Sequence, residues 1–210
     1  MRGRLIALEG IDGSGKTTQV RLLAERTGTE MVVVTAEPGA TALGAGLRRL
    51  LLDPALPEVA ERTEALLLAA DRAQHVAEVV APALAAGRWV VTDRFSGSTL
   101  AYQGYGRGLA LDELRRLVDW ATGGVEPDLN VLVDVPLAVA GGRRAGGADD
   151  RLEGLGADFQ SRVRYGYLAL AAADPGHWVV IDGSGGVDEV ADALAAAVTA
   201  RLGPAPAVAP

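Results

Sequence analysis

The chain has 210 residues, 20 basic and 27 acidic, for a formal net charge of −7, with 49% hydrophobic and 22% charged residues. That composition suits a globular protein long enough to enclose one large core. The acidic balance argues against a general nucleic-acid or anionic-membrane binder, leaving room for a local basic pocket. With no cysteine, a disulfide, a thiolate metal site and a cysteine nucleophile are all excluded. Lys16 is the only lysine; arginine supplies the other 19 basic residues. The segment MRGRLIALEG carries too few apolar residues before Glu9 for a signal-peptide core, and the apolar runs elsewhere fall short of the roughly 18 residues that span a bilayer. Cytoplasm is the expected location.

The elements alternate along the chain. LIALE (5–9) reads as a buried strand, followed by a glycine loop and a helix ending at Gly28. MVVVT (31–35) is a second strand, and TALGAGLRRLLL (41–52) is helical. A long helical pattern runs from Glu58 to Ala85, where Pro82 is expected to bend or interrupt it. WVVTD (89–93) is a third strand; a loop and short helix lead to an amphipathic helix at 111–121. LNVLVDV (129–135) and HWVVIDG (177–183) are the fourth and fifth strands, flanked by helices at about 157–173 and 187–202. Apolar strands alternating with helices signify a parallel sheet covered on both faces. The expected organisation is one domain over 1–202, with a Pro/Ala-rich disordered tail at 203–210. The glycine-rich, doubly charged stretch 141–156 suits either a mobile lid or an ordinary surface loop, and a kinase context favours the lid.

Gly10-Ile11-Asp12-Gly13-Ser14-Gly15-Lys16-Thr17 matches G-x-x-x-x-G-K-[ST] at every fixed position, directly after a strand and opening a helix. Glycines let successive backbone N–H groups face one concavity, and the helix amino terminus completes an anion site that extends to Thr18. Lys16 places a compact ammonium by the β- and γ-phosphates, and Thr17 offers a hydroxyl to Mg²⁺. The expected fold is therefore a three-layer α/β P-loop NTPase, a five-stranded parallel sheet with helices on both faces. A GTPase would need an N-K-x-D guanine motif, which a chain with one asparagine (Asn130, followed by Val131) and one lysine cannot supply. A multi-subunit ATPase usually carries Asp-Glu at the end of a hydrophobic strand; here WVVTD ends in Asp93-Arg94. Asp93 is the expected magnesium-side acid, and Arg94 at the carboxyl edge of the sheet suits a phosphate on a second substrate.

The ordered segments EGIDGSGKTT (9–18), EPGAT (37–41), AADRAQH (69–75), VTDRFSGSTLAYQGYGRG (91–108), PDLNVLVDV (127–135), DRLE (150–153) and RVRYGYLALA (163–172) resemble the thymidylate kinases, of the nucleoside-monophosphate kinase group. The resemblance runs from about residue 4 to residue 202. It implies transfer of the ATP γ-phosphoryl group to dTMP, with Mg²⁺, in a homodimer packed through helices of the 40–120 region. By the same resemblance Asp12 approaches the deoxyribose 3′-hydroxyl, Arg72 meets the thymine edge and Arg94 holds the acceptor phosphate. Glu37, Pro38, Leu68, Ser98, Thr99, Tyr102 and Gln103 fall in the acceptor-site motifs, with Tyr102 filling the space a ribose 2′-hydroxyl needs. Arg143 or Arg144, with Arg151, match basic residues of the lid. Gly13 stands where some members carry an arginine after Asp12; the resemblance implies that the variant without it takes its catalytic positive charge from the lid, which agrees with Arg151 in DRLE, beside Lys16 and Arg94 as the other expected catalytic residues.

Each side chain also has an ordinary alternative. Arg72 could pair with Asp71 or Glu78 on a helix surface, Asp12 could cap a turn, and Tyr102 could be plain core. Leu68 stands where the family commonly stacks Phe on thymine, forgoing a stacking term of roughly 1 kcal/mol. Ala36 replaces a common arginine and Ala40 the second glycine of a usual pair. Two rival functions follow: another nucleoside-monophosphate or deoxynucleoside kinase with altered base preference, and a nucleotide-binding regulator without turnover. His75 and His177 lack metal-ligand spacing.

Overall fold

In a computed structural model, residues 2–27, 31–53, 55–56, 59–144, 151 and 155–205 are described. Five strands form one parallel sheet: β1 (Leu5–Glu9), β2 (Val32–Ala36), β3 (Trp89–Asp93), β4 (Leu129–Asp134) and β5 (Trp178–Asp182), in the spatial order β2-β3-β1-β4-β5. β1 is wholly buried, and its side chains alternate between the two covered faces. Ile6 and Leu8 join Leu129, Val131 and Val133 of β4 beneath α1 (Lys16–Thr27) and α9 (Val187–Leu202). Leu5 and Ala7 point the other way, into a cluster with Val76, Val80 and Phe95. Beside it on that face, α8 (Gly156–Ala173) buries Phe159, Val163 and Tyr167.

The remaining helices are α2 (Ala42–Leu52), α3 (Glu61–His75), α4 (Ala81–Ala85), α5 (Ser96–Thr99), α6 (Leu111–Thr122) and α7 (Leu137–Arg144). One expectation needs correction. Pro82 does not interrupt its helix: the ladder widens to a π-helical turn over Val76–Val80, where Ala81 N–H bonds Val76 O, and the chain stays helical to Ala85. Such widening absorbs the amide that proline lacks without ending the helix. The short helix expected after β3 is present as α5, and it continues into a π-helical run over Leu100–Gly106. The suggested lid falls largely on 145–150 and 152–154, outside the described residues, as do tail residues 206–210; Ala205 packs against the core beneath α9.

The strand order is what assembles a site. Leu8 of β1 pairs in register with Asp93 of β3, and Ala36 of β2 with the same Asp93. The residues that follow these strands, the glycine loop, Arg94 and Glu37, therefore leave one carboxyl edge side by side, where open α/β sheets bind ligands.

Leu194 on α9 is fully buried and Val180 on β5 is 47% exposed. Leu194→Ala should lower stability by about 2–5 kcal/mol, and Val180→Ala by about 0.5 kcal/mol or less. Urea denaturation of both variants measures the contrast.

Candidate active site

The glycine loop after β1 curls tightly, with Gly13 at φ 81° and Gly15 at φ 93°, a region side chains rarely adopt. The buried Lys16 ammonium folds back over it, donating to Ile11 O at 2.8 Å and Ser14 Oγ at 3.3 Å. Burial, aided by the Arg94 charge, lowers its pKa to about 8, against the pull of Asp12, Asp93 and Glu9. Thr17 Oγ1 donates to Asp93 Oδ2 at 2.5 Å, while Asp93 Oδ1 is buried with no partner. A hydroxyl and an under-bonded carboxylate are hard oxygen donors, which fit a magnesium ion that takes its other ligands from phosphate and water. Among the described residues, no cluster of three or more His, Asp or Glu offers an all-protein cage instead. The loop from Asp12 to Thr18, with Asp93, Arg143, Gly183 and Val187, encloses an open cleft of about 1630 Å³.

Arg94 is the hub of the site. It is a non-glycine residue at φ 72°, a strained backbone that surrounding bonds must hold. One Nη donates to Gly10 O, Ser98 Oγ and Tyr167 OH, each at 3.1 Å; the other pairs with Asp12 and reaches Tyr102 OH at 3.2 Å. Tyr102 donates to Asp12 Oδ2 at 2.7 Å, and its ring lies 4.9 Å from the guanidinium. Burial alone would raise the Asp12 pKa, but the Arg94 and Lys16 charges and these hydrogen bonds prevail, holding it at about 2. Asp12 and Tyr102 are thus neither a simple turn cap nor plain core. Behind the hub, Glu9 is fully buried and accepts from Phe95 N–H, Ser98 N–H, Ser98 Oγ and Tyr167 OH. Burial pushes its pKa up, against the Ser98 bond and the Arg94 charge.

A second pocket, of about 680 Å³, adjoins the first. Its lining includes Pro38, Leu51, Leu68, Arg72, Thr99 and Gln103, and Asp12, Glu37, Arg48 and Arg94 border both pockets. Arg72 is not a surface partner of Asp71 or Glu78. It is buried, donating Nε to Glu37 at 2.8 Å, Nη1 to Thr99 Oγ1 at 2.8 Å and Nη2 to Phe95 O at 2.9 Å. The other Glu37 oxygen lies 2.7 Å from His75 Nδ1, whose Nε2 is 2.8 Å from Thr35 Oγ1. Leu68 stands in the pocket wall where the resemblance puts a base-contacting side chain. Asp71 accepts from Gly39 N–H at 2.9 Å; burial and the neighbouring Glu37 raise its pKa.

The two lid arginines part company. Arg143 reaches the glycine loop, donating to Ser14 O at 3.3 Å and Gly183 O at 2.8 Å. Arg151 instead donates to Leu51 O at 2.8 Å and to Glu64 Oε2 at 2.9 Å, beside the second pocket. The reason is the fully buried Glu64 carboxylate, which draws in Arg107 as well. The side chain of Arg144 lies outside the described residues. Glu9, Glu64, His75 and Arg48 are absent from a motif-based site. Glu9 and His75 carried a sequence signal, the first closing an apolar strand and the second ending the AADRAQH motif; Arg48 and Glu64 sit in helical patterns that read equally well as solvated faces.

Comparison with known proteins is consistent with this geometry. A family model described as thymidylate kinase matches residues 8–194. The thymidylate kinase of Desulforudis audaxviator is 51% identical over 205 residues, covering 96% of this chain and 93% of that one. The Cupriavidus metallidurans thymidylate kinase is 48% identical, covering 92% and 96%. A crystal structure of the Ehrlichia chaffeensis thymidylate kinase superposes with a TM-score of 0.78 at 31% identity, covering 94% of this chain and 100% of that one.

Glu37 is 4% exposed and the carboxylate Arg72 depends on. Glu37→Gln should destabilise the fold by about 3–5 kcal/mol, because it leaves a buried guanidinium without its counter-charge. Chemical denaturation measures the loss, and a change under about 1 kcal/mol would refute the pairing's structural weight.

Proposed function

The chain belongs to the thymidylate kinase family, and from that premise we propose how its residues transfer a phosphoryl group. It is an ATP-dependent nucleoside-monophosphate kinase that uses Mg²⁺ and converts dTMP to dTDP. The carrying observation is the junction of the two pockets, where Arg94 and Arg48 border both, beside Asp12. A donor phosphate in one pocket and an acceptor phosphate in the other meet at this junction.

The acceptor phosphate, with a second pKa near 6, is mostly dianionic at neutral pH and needs no general base. The difficulty is bringing two polyanions together, which positioning and fixed positive charge overcome. Lys16 leaves its loop contacts for the β- and γ-phosphates. Thr17 and Asp93 would hold magnesium, whose charge would offset that of the donor phosphates. Arg94 and Arg48 fix the acceptor phosphate, and Arg143 brings a further positive charge to the donor side. Asp12, kept as a carboxylate by Arg94, accepts from the 3′-hydroxyl, and Tyr102 closes the space beside the sugar. Arg72 has used three of its five N–H groups; the remaining two meet a base carbonyl, and the free Gln103 Oε1 accepts the thymine N3–H. Leu68, Leu51 and Pro38 supply the apolar surface for the ring. A cytoplasmic location accords with two charged nucleotide substrates; among the described residues, no helix is long and apolar enough to cross a membrane.

The same reading extends to a homodimer. α2 packs on α3 and α3 on α6, and these neighbouring helices expose Leu43, Leu50, Leu66 and Trp120, the last 82% exposed. Exposed apolar side chains of this size on adjacent helices support a partner surface.

Three outcomes are expected. In a coupled assay of ATP with a panel of nucleoside monophosphates, dTMP should give the highest kcat/KM; faster turnover of dCMP or dUMP would sink the base assignment. The protonated Lys16 is the form that binds phosphate, so kcat/KM for ATP should fall as pH rises through about 8. An alkaline limb near the ordinary lysine value of about 10 would contradict that. Light scattering should give twice the chain mass, and Leu50→Glu should yield monomer.

A further inference from the structure

The Gln103 carboxamide has two unlike ends. Its Nε2 donates to Glu64 Oε1 at 2.9 Å, while its Oε1 is buried with no partner, in a residue that lines the acceptor pocket. A carboxylate only accepts, so Glu64 can engage only the NH₂ end of this amide. The oxygen end must then turn away from Glu64. Glu64 itself has little freedom: it is fully buried, and Arg107 (2.9 Å) and Arg151 (2.9 Å) both bind its Oε2.

We propose that Glu64 is a positioning residue for base selection, fixing the Gln103 amide so that its carbonyl oxygen faces the pyrimidine edge. The inference rests on the reading of Gln103 as a base contact. Thymine presents N3–H between two carbonyls. Cytosine presents a bare N3 acceptor beside its amino group. A freely rotating amide would serve either base. One held by Glu64 sets oxygen against the cytosine N3 lone pair, leaving two buried acceptors facing each other without a proton, and such unpaired groups are what a binding site discriminates by.

Three variants test it, each assayed with dTMP, dCMP and ATP. In Glu64→Gln the new amide offers both a donor and an acceptor, so Gln103 can bond to it in either orientation. Glu64→Asp keeps the charge facing the two arginines but withdraws it from Gln103 by one methylene, and it decides the question if Glu64→Gln does not fold. Gln103→Met removes the amide itself. For both Glu64 variants, the ratio of kcat/KM for dTMP over dCMP should narrow roughly tenfold, the worth of one such hydrogen bond. The change should lie in the KM for dTMP, with the KM for ATP unmoved. Equal losses on both acceptors, or an unchanged ratio, would overturn the proposal in favour of a purely structural carboxylate. If Gln103→Met narrows the ratio and the Glu64 variants do not, Gln103 reads the base without Glu64 and this inference alone fails. If Gln103→Met leaves the ratio unchanged, the base contact assigned to Gln103 fails, and the role of Glu64 with it.

Discussion

The contact between Arg94 and Asp12 is the constraint on which the site depends. It joins the end of β3 to the phosphate loop, and the rest of the arrangement radiates from it. A side chain at φ 72° is a costly way to leave a strand. It aims the guanidinium back across the carboxyl edge of the sheet, into the boundary between the two pockets. Glu9, Ser98, Tyr167 and Tyr102 then hold it in place, so its orientation is set before any substrate arrives. Preorganisation of this kind lets positive charge act on a transferring phosphoryl group without a reorganisation penalty.

The walls of the second pocket rest on buried ion pairs, which are seldom a source of net stability because both partners lose their hydration. Glu37 is shared by Arg72 and His75, and Glu64 by Arg107 and Arg151. What such pairs do provide is direction. A planar guanidinium with three of its N–H groups committed presents the rest at a fixed angle. Through these clusters an acidic protein keeps a cationic cleft: most of its described carboxylates lie on the surface, while two of the buried ones, Glu37 and Glu64, serve as anchors for arginine.

Two π-helical segments take part in the same construction. One keeps the helix of Arg72 and His75 continuous into Pro82, and the other carries Tyr102 and Gln103. A widened turn shifts the phase of side chains around the helix axis, so neighbouring residues serve different neighbours. Tyr102 turns to Asp12, and Gln103 meets Glu64.

Features written in local patterns were legible in the chain alone. Apolar strands, helical periods and the eight-residue phosphate loop disclosed a parallel sheet with an anion site after its first strand. The lone lysine stands where that loop needs a compact charge. Arg72, Arg94 and Tyr102 were recognisable through their motifs, though their partners were not. The partners are distant: Glu37 and Arg72 are 35 residues apart, Glu64 and Gln103 39, and Arg151 and Glu64 87. The sequence by itself determined which elements form and where the glycine loop turns, because periodicity and glycine placement act within a few residues. Only the tertiary structure decided which cation answers each buried carboxylate, and so which way Arg151 and the Gln103 amide face. Those choices follow from strand order and helix packing, and a buried charge takes whichever counter-charge the fold brings within reach.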